Sequence, residues 1–268
     1  MLSYSNFPIR KNRIIPGKKM RIDAYLSLAP KGIHAHLLDI PGCFTRGRTQ
    51  DEALAALPGA IRAYLLDLQR HGENVDIPDK IEIHIAETDD QSTGPFDPGD
   101  TAALFEIEKR PISSTEMERY FQLAAYNRAD LMALVKGMYP ETLDWKPDEH
   151  SFTIRRILRH IGNADEWYVS RIVPPGTLPP EWENDENLPI FEFLEMERRT
   201  AIARLRQMSE VERSDRVVIP AHFTSNSTEP WTARKALRRM LEHEREHTVH
   251  IREVLAVFCP IHKVTTAP

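Results

Sequence analysis

The chain has 268 residues, 41% of them hydrophobic, and a formal net charge of −5. That length suits one large domain or two ordinary ones, and the apolar content supports a real core, which excludes global disorder. No apolar run reaches membrane-spanning length and no strongly basic block dominates, so neither a membrane nor nucleic acid is an expected partner. Arg10, Lys11, Arg13, Lys18, Lys19 and Arg21 crowd together near the start and read as a solvated arm. The two cysteines, Cys43 and Cys259, lie far apart and form no CxxC motif, which fits a reducing compartment. The opening stretch lacks the apolar core of a signal peptide, so a cytoplasmic location is expected.

After an N-terminal extension over 1–19, residues 20–87 read as a small α+β unit. Ile22, Ala24, Leu26 and Leu28 alternate with mostly polar partners, as on a strand. Pro30, Lys31 and Gly32 supply a turn, and IHAHLLDI reads as a second strand closing on Pro41-Gly42. Thr49 and Glu52 have capping-box spacing. The helix they open carries Ala53, Leu54, Leu57, Ile61, Leu65 and Leu68 on one stripe, with Pro58 as a point of kinking and Gly72 as a stop. IEIHIAE alternates again as a late strand.

Residues 88–113 shift to Asp, Thr, Gly and Pro and read as a linker, in which ALFEIEKRPIS is either one more strand or an extended arm. From 114 to 258 the pattern is helical. Ser113 and Glu116 form a second capping box. One helix carries Tyr120, Leu123, Leu131 and Val135 and ends at Gly137. A second, from about Ser151, carries Ile154, Ile157, Leu158 and Ile161 until prolines break it. A third spans about 190–208, and a fourth starts at Thr232. Four amphipathic helices in one stretch predict a four-helix bundle. Residues 259–268 read as a tail.

The fourth helix contains HEREHTVHI. His243 and His247 are four residues apart, so their rings project from one helical face. His160, on the second helix, can be brought opposite them by a bundle. Three neutral imidazoles with one position left open are the donor set of a catalytic zinc site; nickel, iron or cobalt would also accept it. Two competing readings apply to the pair alone. It can be a solvated surface pair, or His243, Glu244 and His247 can be a metalloprotease HExxH. The protease reading lacks its downstream ligand, because Glu253 is the only acid that follows His247. Asp165, Glu166 and Glu244 are candidate acids for orienting a ligand or carrying a proton, against the reading of ordinary helix-surface charges, which leads for Glu244.

The helical segments AAYNRADLMALVKGMYPETLDWKP, SFTIRRILRHIGNADEWYVSRI and WTARKALRRMLEHEREHTVHIREVL resemble the DinB-like superfamily. Its members are four-helix bundles with a histidine on the second helix and His-x-x-x-His on the last. The resemblance covers roughly 114–258. It implies that His160, His243 and His247 are metal ligands, with His250 as a fourth ligand or a donor behind them. It also implies a divalent metal cofactor, and for several relatives an S-transferase or isomerase activity using a low-molecular-weight thiol. A thiol bound to zinc is deprotonated at neutral pH and becomes nucleophilic.

The N-terminal unit resembles the HicB-like fold, a truncated RNase H-like sheet with helices. The resembling elements are the Asp39-to-Cys43 turn, the Gly47-Arg48-Thr49 entry to the helix with Glu52 and Ala53, and His71-Gly72-Glu73 before Pro78. No nuclease activity is implied, and oligomerisation or ligand sensing is the expected role. Cys43 reads as a small packing residue, and His34 and His36 as histidines exposed on a sheet face.

The fold class is therefore α+β in two domains. The leading functional reading is a metal-dependent transferase for a small-molecule substrate, with a homodimer as the expected assembly. The alternative is a metal- or ligand-sensing regulatory protein that signals through the HicB-like domain.

Overall fold

In a computed structural model, the structure describes residues 19–30, 32–92, 103–185, 187–218 and 229–262. Of the basic arm, Lys19 and Arg21 are among the described residues, and the rest lies outside them. The chain divides into two compact units, with the change falling between Ile107 and Glu108 and Glu229 belonging to the first.

The first unit is a mixed sheet with one long helix. Strands β1 (Lys19–Ala29), β2 (Gly32–His36), β3 (Phe44–Gly47) and β4 (Lys80–Asp90) lie in the order β3-β2-β1-β4. β1 pairs antiparallel with β2 and parallel with β4. Strand alternation sets the faces: Met20, Ile22, Ala24 and Leu26 are all buried. Helix α1 (Gln50–Arg70) lies against β3, β2 and β4 and buries Ala53, Leu57, Ile61, Tyr64, Leu65 and Leu68. It runs unbroken past Pro58. Thr49 caps it by accepting from Glu52 N, while the Glu52 carboxylate reaches one residue further back, to Arg48 N at 2.8 Å.

Gly47 is demanded by sterics, because a Cβ there would stand 2.5 Å from Ala53 N. β3 escapes the sequence reading because it is four residues long and carries little apolar periodicity. The second expected strand is likewise shorter than its apolar run, which turns away after His36. β4 extends to Asp90, into the expected linker, and Glu106–Lys109 form a 3₁₀ turn where a strand or arm was expected.

The second unit is helical: α2 (Ser114–Val135), the single turn α3 (Pro140–Leu143), α4 (Ile154–Ser170), α5 (Ile190–Arg206) and α6 (Ala233–His262). Two-residue strands β5 (Val217–Val218) and β6 (Pro230–Trp231) precede α6. The full capping box at Ser113 and Glu116 fixes the start of α2, and Gly137, at φ 89°, follows its end. α6 continues through the segment expected to be a tail as far as His262. Around the bundle α2 touches α6 and α5, and α4 touches α5 and α6. The apolar core falls into two clusters. One includes Phe121, Val169, Leu205 and Leu237; the other includes Leu131, Ile157, Phe193 and Ile251. Among the described residues no helix is long and apolar enough to cross a membrane.

Gly162 sets how closely α4 and α5 approach. A Cβ there would stand 2.2 Å from Phe193 Cε1, and Phe193 is fully buried with the Arg159 guanidinium 3.8 Å over its ring. Glycine-to-alanine in a free helix normally stabilises by about 1 kcal/mol. Here Gly162→Ala is expected to destabilise by roughly 1–3 kcal/mol, because Phe193 must leave its rotamer. Urea unfolding reads the sign, and a midpoint at or above wild type contradicts this packing.

Candidate metal centre

α4 contributes His160, and α6 contributes His243 and His247 from adjacent turns of one face. The three rings form a compact triangle, with centroids 4.7 Å apart for His160–His243, 4.7 Å for His160–His247 and 4.4 Å for His243–His247. His160 Nε2 and His243 Nε2 are 2.9 Å apart. One ligand atom from each ring can be chosen so that all lie within 4.8 Å of one another. The triangle is graded in exposure: His243 is buried, His247 intermediate and His160 exposed. The site therefore opens to solvent on the α4 side.

The donors suit a divalent ion. Burial, reinforced by the mutual repulsion of the rings, holds His243 well below the usual histidine range and His247 down to about 4. Burial and the Arg156 charge lower His160. All three are thus favoured in the neutral form that ligates. His247 Nδ1 is buried with no hydrogen-bond partner among the described residues, leaving a polar atom that a cation or its bound ligand could satisfy. His250 stands to one side: its ring is 6.0 Å from that of His247, and it falls outside the three-donor group.

Beside the triangle lies a closed ring of buried charge. Arg128 of α2, Asp165 of α4, Arg198 of α5 and Glu244 of α6 each come from a different helix. Arg198 donates Nε and Nη2 to the two Asp165 oxygens at 2.8 and 2.9 Å, and Nη2 also reaches Glu244 Oε2 at 2.9 Å. Arg128 donates Nε to Glu244 Oε1 at 2.5 Å and Nη2 to Asp165 Oδ2 at 3.4 Å. Remaining guanidinium donors go to backbone carbonyls, Arg128 to Leu194 O and Arg198 to Ala124 O. Burial alone would raise the Glu244 carboxyl, but the two guanidiniums outweigh it and hold the group below the usual carboxylate range.

This arrangement corrects three readings of the sequence. Glu244 is 1% exposed and ion-paired, not a surface charge, and both its oxygens are occupied, so it is not the base of an HExxH protease. Asp165 is committed to Arg198 and is not an available catalytic acid. Glu166 is pushed up by burial and by Asp185, and it belongs with Asp185 and with Glu197, which burial and these neighbours raise to about 9. Two charged residues of α6 near the histidines escape the sequence reading. Glu246 acts on His160, and Arg239 acts on His243 and His247. Their signal was in the spacing, since 239, 243, 246, 247 and 250 follow one helical stripe. In the first unit His34 and His36 are buried, not exposed, with ring centroids 6.0 Å apart and Phe105 against His36. Cys43 is buried.

Residues 124–251 match the family described as the DinB superfamily. That match falls within the helical unit, and the smaller mixed-sheet unit precedes it. That N-terminal unit belongs to the UPF0150 family: the UPF0150 protein Ta0767 of Thermoplasma acidophilum is 45% identical over 47 residues, which are 17% of this chain and 68% of the relative. Among solved structures, YfiT from Bacillus subtilis, described as a probable metal-dependent hydrolase with an unusual four-helix bundle topology, is similar at a TM-score of 0.40 and 17% identity, over 62% of this chain and 94% of that one.

Removing one member of a buried ion ring strands the others. Glu244→Gln leaves Arg128 and Arg198 with a single carboxylate between them and is expected to cost roughly 3 kcal/mol in denaturant unfolding. A loss below about 0.5 kcal/mol, the scale of a surface pair, contradicts the ring's place in the fold.

Proposed function

We propose that His160, His243 and His247 hold one divalent metal ion and that the protein is a metal-dependent enzyme acting on a small molecule. The observation that carries this reading is the convergence of three neutral imidazoles from two helices at a centre buried on one side and open on the other. Zinc suits the donor set best; nickel, iron and cobalt also fit it. A divalent ion there would act as a Lewis acid and lower the pKa of a thiol or water that reaches it.

The reaction class we infer is transfer to or from a low-molecular-weight thiol, and a reducing, cytoplasmic setting suits it. The chain's own residues would do the rest. His243 immediately precedes Glu244, whose carboxylate is held by Arg128 and Arg198. Asp165 and Glu244 take no part in proton transfer, because their oxygens are spent on Arg128 and Arg198.

Elemental analysis of the purified chain, followed by zinc titration, tests the metal reading. One metal per chain is expected, with His243→Ala weakening binding by more than about a hundredfold. Absence of any bound first-row metal, or an undiminished zinc affinity in His243→Ala, overturns it. A screen joining small thiols to electrophiles tests the reaction class, and uniform inactivity of the zinc-loaded protein removes the transferase reading.

A further inference from the structure

Arg239 and Arg238 are neighbours on α6 with different surroundings. Arg238 is 1% exposed and fully engaged: it donates to Glu108 at 2.6 and 3.2 Å and to Glu242 Oε2 at 3.2 Å. Arg239 is also buried, at 5% exposure, but its hydrogen bond among the described residues is a single one, from Nη1 to the same Glu242 Oε2 at 3.1 Å. A buried guanidinium carries five donors and normally satisfies most of them. The Nε and Nη2 donors of Arg239 are left for something else.

Its position says what that is. Arg239 lies one turn before His243 and two before His247, on their helical stripe. Its charge is felt by both rings. It is also felt by Tyr168, Glu242 and Glu246, and the Tyr168 ring packs 5.9 Å from that of His243 and 5.9 Å from that of Trp231. Trp167 stands against both Tyr168 and Trp231 with centroids 5.2 Å away, and is 38% exposed. A permanent cation beside a divalent-ion site opposes metal binding through Coulomb repulsion. An oxyanion held between the two turns that repulsion into attraction on both sides.

We propose that Arg239 is an oxyanion receptor built into the wall of the histidine centre, so that the substrate is a small molecule bearing a carboxylate or phosphate-type group on an aromatic or apolar body. The anionic group sits on the free edge of Arg239, the body lies toward the aromatic rings of Trp167 and Tyr168, and the reacting atom faces the histidines. This rests on the metal reading above and adds the substrate class to it.

The test uses linkage: a ligand that bridges two sites must strengthen binding at both. Cobalt(II) titrations, read by visible absorption, are run with benzoate, phenylphosphonate or neutral benzamide present. In the wild type, benzoate or phenylphosphonate is expected to tighten cobalt binding by roughly tenfold, the scale of a charge-assisted hydrogen bond, and benzamide by less than about twofold. Whichever anion acts more strongly names the group. Arg239→Gln is expected to bind cobalt at least as tightly as the wild type without anion, and to lose the anion effect. A residue that only supported the fold would weaken metal binding instead. Arg239→Lys keeps the charge and loses the fork, and should retain part of the effect even if the glutamine variant fails to fold.

Equal enhancement by benzoate in wild type and Arg239→Gln, or none by either anion in the wild type, overturns the proposal. If the wild type binds no cobalt, the metal reading fails by itself. The receptor is then judged by tryptophan fluorescence of the metal-free protein: quenching by benzoate that Arg239→Gln abolishes upholds it, and no quenching sinks it.

Discussion

Four charged side chains at the centre of the bundle decide how its helices can sit. Arg128, Asp165, Arg198 and Glu244 come one from each long helix, carry no net charge together, and close a ring of hydrogen bonds away from water. On every helix the ring residue falls between the residues of the two apolar clusters: between Phe121 and Leu131, Ile161 and Tyr168, Leu194 and Ala201, Met240 and Ile251. The core is thus two apolar layers with an ionic layer between them. Apolar layers alone tolerate sliding of one helix along another. A buried charge that loses its partner does not, because its desolvation is then uncompensated. We regard the ring as a register device, setting the depth at which α4 meets α6.

That depth is what the histidine triangle requires. His243 is the residue immediately before Glu244, so fixing Glu244 against two guanidiniums also fixes the backbone that carries His243. His160 lies two residues before Gly162 and five before Asp165 on α4, the first held by close contact with Phe193 and the second by Arg198. Two adjacent helices are therefore pinned next to their histidine-bearing turns, and the three rings meet with little left to arrange. The neutral state of the rings follows from the same burial. The exposed His160 edge is left as the way in, with Arg156 and Glu246 supplying charge of opposite sign around it.

Much of this was legible in the sequence. The helical periodicity, the two capping boxes and the spacing of His243 and His247 point to four bundle helices and a pair of histidines on one face. His160 was reached by resemblance and by its place on the second helix, since nothing local marks a single histidine as a partner for two others 83 and 87 residues away. The ionic layer was not read, because a charge in a helix is by default a surface charge. Its signal was present all the same: Arg128 continues the stripe of Phe121, Ala124 and Leu131, and Arg198 that of Leu194, Ala201 and Leu205. A charge set at matching depth on each of four apolar stripes is an interior feature. Asp165 and Glu244 were misjudged for the same reason, and Asp165 was given a catalytic role when it is a structural counter-ion.

X-ray absorption at the zinc edge of the metal-loaded chain tests the central claim most directly. The account predicts a shell with three imidazole nitrogens at about 2.0 Å and a remaining non-protein ligand. A shell with one imidazole or none, or with a fourth imidazole from His250, would contradict it.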